Sequence, residues 1–174
     1  MKKRLLSIFL AACLIVTLLP ISAFAYMTNS GTCGDNMTWE LDSDGTLMIS
    51  GTGEMWDFST ETKAPWENYR TSIKSVVIND WVTSIGNSAF SGCDKLTNVK
   101  IGNKITLIGS FSFSKCSDLT SVAIPDSVTR IESGAFSYCS SLASITIPDS
   151  VTSIGDHAFW DCSSLTSLKI PNSL

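Results

Sequence analysis

Four cysteines, Cys93, Cys116, Cys139 and Cys162, recur every 23 residues and are the clearest hint of chemistry in this 174-residue chain. Thiolates at fixed spacing can hold a metal or oxidise to disulfides. A zinc site needs ligands that converge on one point, with the CxxC or histidine spacing that brings them there. Sulfurs one repeat apart line up as a ladder instead. Neighbouring strands lie about 5 Å apart, so a bridge between two of them is within reach. Parallel side chains, however, do not supply the torsion near 90° that a disulfide adopts. The column therefore reads as buried free thiols, with disulfides and a metal as lesser readings. No metal or other cofactor is expected, and Cys33 is left without a role.

The remaining reactive groups do not assemble into a catalytic set. His157 is the only histidine. Its column holds Ser88, Phe111 and Gly134, and no second group converges on it, so it reads as a surface residue. No serine sits in a GxSxG turn or beside a candidate base. Asp80, Asp126 and Asp149 share one column, but a glycoside hydrolase needs two carboxylates facing one substrate; a ladder of acids at turns is turn chemistry. Asp42 and Asp44 lie in Asp42-Ser43-Asp44-Gly45, which lacks the glutamate and further oxygen ligands of a calcium loop. A plain turn is the reading. No catalytic residue is assigned and the chain is not read as an enzyme.

What must position these side chains is the repeat itself. Residues 119–141 return as 142–164 with 14 of 23 positions identical; weaker copies occupy 73–95 and 96–118, and a partial copy 165–174. A fixed period of this length marks a solenoid. Each copy opens on an apolar residue (Ile73, Leu96, Leu119, Leu142, Leu165). Next come Val76, Val99, Val122, Ile145 and Leu168, then Ile78, Ile101, Ile124, Ile147 and Ile170. This alternation suits a short strand with one buried face. Pro-Asp-Ser at 125–127 and 148–150 predicts a turn. A second apolar pair follows, as in Val128 and Ile131. Then Phe90, Phe113, Phe136 and Phe159 each precede their cysteine by three places, which predicts a helical turn facing inward. No copy is stable alone; stacked, they share one elongated core, with the four phenylalanines as an aromatic spine.

The run LxxVxIPxxVxxIGxxAFxxC resembles the BspA-like (Treponema-type) leucine-rich repeats of bacterial surface proteins, and the match covers residues 73–174. Glu132 replaces the glycine of that pattern, and the second copy lacks the proline. The resemblance implies a leucine-rich repeat solenoid, a short β-strand plus a short helical turn per 23 residues. It also implies attachment to host proteins, other bacteria or matrix.

Residues 26–72 break the period and read as an N-terminal cap. Met37 to Leu41 and Thr46 to Ser50 flank the Asp-Gly turn as a β-hairpin. Ala64-Pro65-Trp66 opens a short helix, whose Trp66, Tyr69 and Ile73 share a face. Trp39, Trp56, Phe58, Trp66 and Tyr69 would cover the open end of the stack, with a carbohydrate platform as the lesser reading. The segment also resembles an N-terminal module joined to such repeats in Firmicutes, which implies a Gram-positive source.

Residues 1–25 form a secretory leader. Lys2, Lys3 and Arg4 precede the apolar run Leu5–Leu19, and Ala23-Phe24-Ala25 ends it with cleavage expected after Ala25. The lesser readings are a membrane anchor and a lipobox at Leu10–Cys13. Removing the leader takes three of the twelve basic residues and none of the sixteen acids, leaving −7. So negative a chain repels phosphate backbones, and no nucleic acid is expected as partner. No apolar stretch after residue 25 is long enough to span a membrane.

The expected function is a secreted or cell-surface binding and adhesion module for an extracellular protein or cell-surface ligand. Rivals are a structural spacer without a ligand and the non-catalytic arm of a larger enzyme. The binding surface is placed on the strand positions flanking the buried valine column, expected to be concave. These are Ser75, Val77, Asn98, Lys100, Ser121, Ala123, Ser144, Thr146, Ser167 and Lys169. Phe111, Tyr138 and Trp160 on the turn side form the competing surface. The chain stops in the column of Val151, so Val151, Ile154 and Phe159 are expected to lack a covering unit. Either a longer protein continues the stack, or copies associate end to end.

Overall fold

The computed structural model describes residues 27–171, 173 and 174. The leader and its cleavage site lie outside them. In chain order the strands are β1 (Met27–Gly34), β2 (Met37–Asp42), β3 (Thr46–Gly51), β4 (Gly53–Glu54), β5 (Ser75–Ile78), β6 (Val82–Ile85), β7 (Asn98–Lys100), β8 (Leu107–Ile108), β9 (Ser121–Ala123), β10 (Arg130–Ile131), β11 (Ser144–Thr146) and β12 (Ser153–Ile154).

Each repeat is one coil. Its LxxVxI run supplies a strand of a first parallel face, in register where coils pair: Val76 with Val99, and Val122 with Ile145, while β7 and β9 lie side by side without a ladder between them. The alternation is as expected, with Val99, Val122 and Ile145 buried between exposed neighbours. After the turn, the second apolar pair forms another parallel sheet, which the sequence reading left unassigned. Ile85, Ile108, Ile131 and Ile154 pair in succession.

The third side of the coil differs from expectation. In place of a helical turn, successive i→i+3 turns run through each Ala-Phe-Cys segment: Cys93 N–H bonds Phe90 O, and Leu96 N–H bonds Cys93 O. Alternate amides point along the stack. Ser88, Phe90 and Gly92 donate to Ser110, Ser112 and Ser114, and Phe111, Phe113 and Lys115 donate to Ser133, Ala135 and Ser137. Those bonds across coils compete with an i→i−4 helical ladder and win. Among the described residues the only helix is one 3-10 turn, Glu67–Tyr69.

Stacking produces the aromatic spine. Ring centroids of Phe90, Phe113, Phe136 and Phe159 are 5.2, 5.3 and 5.6 Å apart in turn, nearly parallel. Trp66 extends the column, 5.5 Å from Phe90, and its Nε1–H donates to Ala89 O at 2.7 Å.

The N-terminal segment joins the repeats by more than packing. The hairpin forms, with Asp42 Oδ1 accepting from the amides of Asp44 and Thr46 at 3.0 and 2.8 Å, so that carboxylate serves the turn. Strand β3 then pairs parallel with β5, and β4 with β6. Residues 46–72 are thus a coil in their own right. Leu47 pairs with Val76 at a spacing of 29, six more than the repeat. Trp66 to Phe90 is close to the normal period, so the extra residues lie in the loop between β4 and Trp66. At the other end, Val151 is fully buried, contrary to the expectation that it would be uncovered, and Ser173 Oγ donates to its carbonyl at 2.6 Å. Ile154 and Phe159 are half-buried.

Candidate binding surfaces

The cysteine column is structural. Cys93, Cys116, Cys139 and Cys162 are buried free thiols, as is Cys33. Three of them reach back to the phenylalanine carbonyl of the preceding coil. Cys116 Sγ lies 3.3 Å from Phe90 O, Cys139 Sγ 3.1 Å from Phe113 O, and Cys162 Sγ 3.2 Å from Phe136 O. Those carbonyls would otherwise have only a bent turn bond, so the weak S–H donor ties coil to coil. Burial pushes the Cys93 and Cys139 thiols up to about 12, and Cys116 well above its ordinary value. Such thiols stay protonated and inert.

The face expected to bind ligand is formed by β5, β7, β9 and β11. Asn98, Lys100, Ser121, Ala123, Ser144, Thr146, Ser167 and Lys169 are exposed on it. Ser75 and Val77 are half-buried. Val77 and Lys100 border a hollow of about 170 Å³ with Met48 and Asp80. Beyond it the face is a strip of small polar side chains, with no aromatic residue and two cations.

The turn side carries the aromatic side chains. Phe111, Tyr138 and Trp160 are 49%, 46% and 56% exposed. His157, also exposed, lies edge-on to Trp160 with centroids 5.2 Å apart. The backbone beneath is unusual. Ser88, Phe111, Gly134 and His157 all have φ between 54° and 64°, and Gly92, Lys115, Tyr138 and Asp161 between 56° and 73°. Two columns of left-handed residues thus run along the stack, and sequence reasoning missed both. Within the turn, Ser114 and Ser137 are buried, with their hydroxyl oxygens 2.9 Å apart. Trp160 stands in that same column.

Of the aromatic residues read as a cap, Trp39, Phe58 and Trp66 are buried and Tyr69 packs against them, its hydroxyl 2.7 Å from Asn29 Oδ1. Trp56 is exposed instead. No group of three or more metal-ligating side chains converges among the described residues, and none of their helices is long and apolar enough to cross a membrane.

Comparison with known proteins agrees with this geometry. Residues 67–174 match the family model for the BspA type leucine rich repeat region, in six copies. That span is too short for six units of 23, so those copies are not one-to-one with the coils. A leucine-rich repeat protein from Eubacterium ventriosum is 28% identical over 83% of this chain and 45% of its own, with a TM-score of 0.64. The T. pallidum leucine rich repeat protein is 26% identical over 80% and 71%, with a TM-score of 0.63. A leucine rich cell surface protein from Faecalibacterium prausnitzii is 27% identical over 77% and 38%, with a TM-score of 0.59. The chain thus spans less than half the length of two of these three. No curated protein matches it.

Proposed function

This chain belongs to the BspA-type leucine-rich repeat family, and we propose that it is a secreted or cell-surface module that binds another protein. The observation that carries the reading is the exposed strip of the first sheet. Three successive coils present two exposed side chains at the same two positions, on either side of a buried one. Such a strip offers a partner many equivalent weak contacts on a rigid support, and affinity comes from their number. Surface placement is supported by the leader at residues 1–25 and by the cell surface protein among the structural relatives. Attachment to host or matrix proteins is the use that fits both.

A second surface has its own support, because interfaces draw most of their energy from a few Trp, Tyr or Arg anchors, and the exposed aromatic residues lie on the turn side. Two double variants separate the surfaces: Lys100→Glu with Lys169→Glu, and Tyr138→Ser with Trp160→Ser. The second suits the fold, since it returns residue 160 to the serine of its column. Beads coated with each protein are washed over immobilised extracellular-matrix proteins. Loss of retention in the lysine pair alone is the expected result. Loss in the aromatic pair alone moves the site to the turn side, and unspecific retention in every variant leaves a structural spacer.

A further inference from the structure

A cleft of about 560 Å³ lies on the second-sheet side where the first coil meets the repeats. Its floor is the outward face of that sheet, Ser84 of β6 and Leu107 of β8. The equivalent position in later coils is exposed Arg130 and Ser153, whereas Ser84 is only 8% exposed. What covers it is the segment after β4, drawn in because Gly86 has no side chain: a Cβ there would meet Trp56 O at 1.9 Å. The walls are Asp35, Glu54, Trp56 and Asp57. Asp35 Oδ1 accepts from Trp56 Nε1–H at 3.2 Å, holding the indole by its edge, and Asp57 Oδ1 accepts from Asn87 N–H at 2.8 Å. Among the described residues, the second oxygen of each, both oxygens of Glu54 and the hydroxyl of Ser84 have no hydrogen-bond partner. No lysine or arginine lines the cleft.

We propose that this cleft receives a cationic side chain, arginine before lysine, presented by a protein partner. The lining is rich in acceptors and carries three negative charges beside an indole, and arginine is the complement: donors only, a permanent charge and a planar group that stacks on aromatic rings. Among the described residues a cation already sits over an indole, with Lys104 Nζ 3.5 Å from the Trp81 ring centroid. A neutral saccharide presents as many acceptors as donors and matches the lining less well. The unbonded hydroxyl at the buried floor points to a ligand that brings a donor in with it. The inference rests on the protein-binding reading only for the source of the cation.

The experiment follows the indole N–H signals of the ¹⁵N-labelled protein, five in number, with Trp56 assigned from the Trp56→Phe variant. The probes are acetyl-Gly-Arg-Gly-amide, its lysine and glutamine analogues, and the disaccharide chitobiose. The arginine peptide is expected to shift Trp56 at millimolar concentration, and the glutamine peptide and chitobiose to leave it in place. Glu54→Gln and Asp57→Asn, both at exposed sites, should each weaken binding about two- to five-fold, and added salt should weaken it further. An equal response to glutamine or chitobiose, or arginine binding undiminished in Glu54→Gln, overturns the assignment. No natural partner is needed, so failure here is distinct from failure of the adhesion assay.

Discussion

Replacing Phe136 with alanine tests whether the aromatic column is the core of the solenoid. The ring is fully buried and stacked on both sides, 5.3 Å from Phe113 and 5.6 Å from Phe159. Large-to-small changes at such a site cost about 3–5 kcal/mol, combining lost transfer energy with the cavity left behind. For a chain of this length, each kcal/mol lowers the melting temperature by about 2–4 °C, so a fall of about 6–20 °C is expected. Phe159→Ala is the control. Its ring is half-buried and touches the spine on one side, so about half the loss is expected there. In a solenoid each unit is stabilised mainly by its neighbours. Phe136→Ala should therefore also uncouple the last coils, which urea unfolding reports as a lower apparent m-value. If Phe136→Ala costs under about 1 kcal/mol, or no more than Phe159→Ala, the spine does not carry the fold as argued.

Thiol titration with a chromogenic disulfide at pH 8 should find no reactive thiol in the native protein among the described residues and five after denaturation without reductant; three or fewer would mean the column is bridged. The same thiols make the fold sensitive to alkali. Burial raises Cys93 and Cys139 to about 12 from 9.0, so their contribution is complete below about pH 9 and lost as pH rises towards 12. The slope is roughly 1.4 kcal/mol per pH unit for each thiol, and Cys139→Ala should flatten it relative to wild type in denaturation at pH 8 and 10.5. Gly134→Ala should destabilise by about 1–2 kcal/mol, because φ is +64° and a Cβ would lie 2.3 Å from the Phe111 ring. Phe111→Ser in the same chain should restore part of that loss, and a thermal melt showing no recovery would mean the ring is not the obstacle.

How much of this was legible in the sequence depends on what each feature leaves behind in residue types. The buried columns were plain, because a position buried in every coil admits only apolar or small residues, Val, Ile, Leu, Phe and Cys in most columns and Ala or Ser at 89, 112, 135 and 158, and the same period repeats the restriction. The second sheet was half legible: Val128 and Ile131 signalled burial, but a two-residue strand such as Arg130–Ile131 is too short for alternation to show. The first coil escaped because six extra residues after β4 put Leu47 and Val76 out of phase with the period, although both sit in one ladder. The acidic cleft was illegible for a different reason. Asp35, Glu54 and Asp57 come from two segments, and Ser84 from a third; only the sheet brings them together, and no spacing records that.

The left-handed columns are the most instructive failure, and they bear on where specificity can reside. A position with φ near +60° leaves its mark as Gly or Asn when the side chain decides the conformation. Here Ser88, Phe111, Gly134 and His157 adopt it alike, so something common to all coils must impose it. The amides of Ser88, Phe111 and Gly134 supply the reason, each donating to the coil ahead at 2.8–3.0 Å. Forfeiting that bond would leave an amide and a carbonyl unpaired beside the core, a loss comparable to the roughly 1–2 kcal/mol that a left-handed backbone costs. Because hydrogen bonds between coils hold the backbone, the side chain at these positions can vary, within the room left by the neighbouring coil, as at Gly134 beneath the Phe111 ring. The columns do vary, through serine, phenylalanine, glycine and histidine in one and glycine, lysine, tyrosine and aspartate in the other. In the first-sheet strip one column is nearly uniform, serine at every coil but Asn98, while the other runs Val77, Lys100, Ala123, Thr146 and Lys169. A uniform column gives adhesion through repetition, and a variable one gives discrimination between partners. If both surfaces engage the same partner, the lysine pair should change how firmly the protein is retained. The Tyr138 and Trp160 pair should instead change which matrix protein retains it. A panel of immobilised proteins compared across the two double variants distinguishes these outcomes, and identical rank order in every variant would remove the turn columns from recognition.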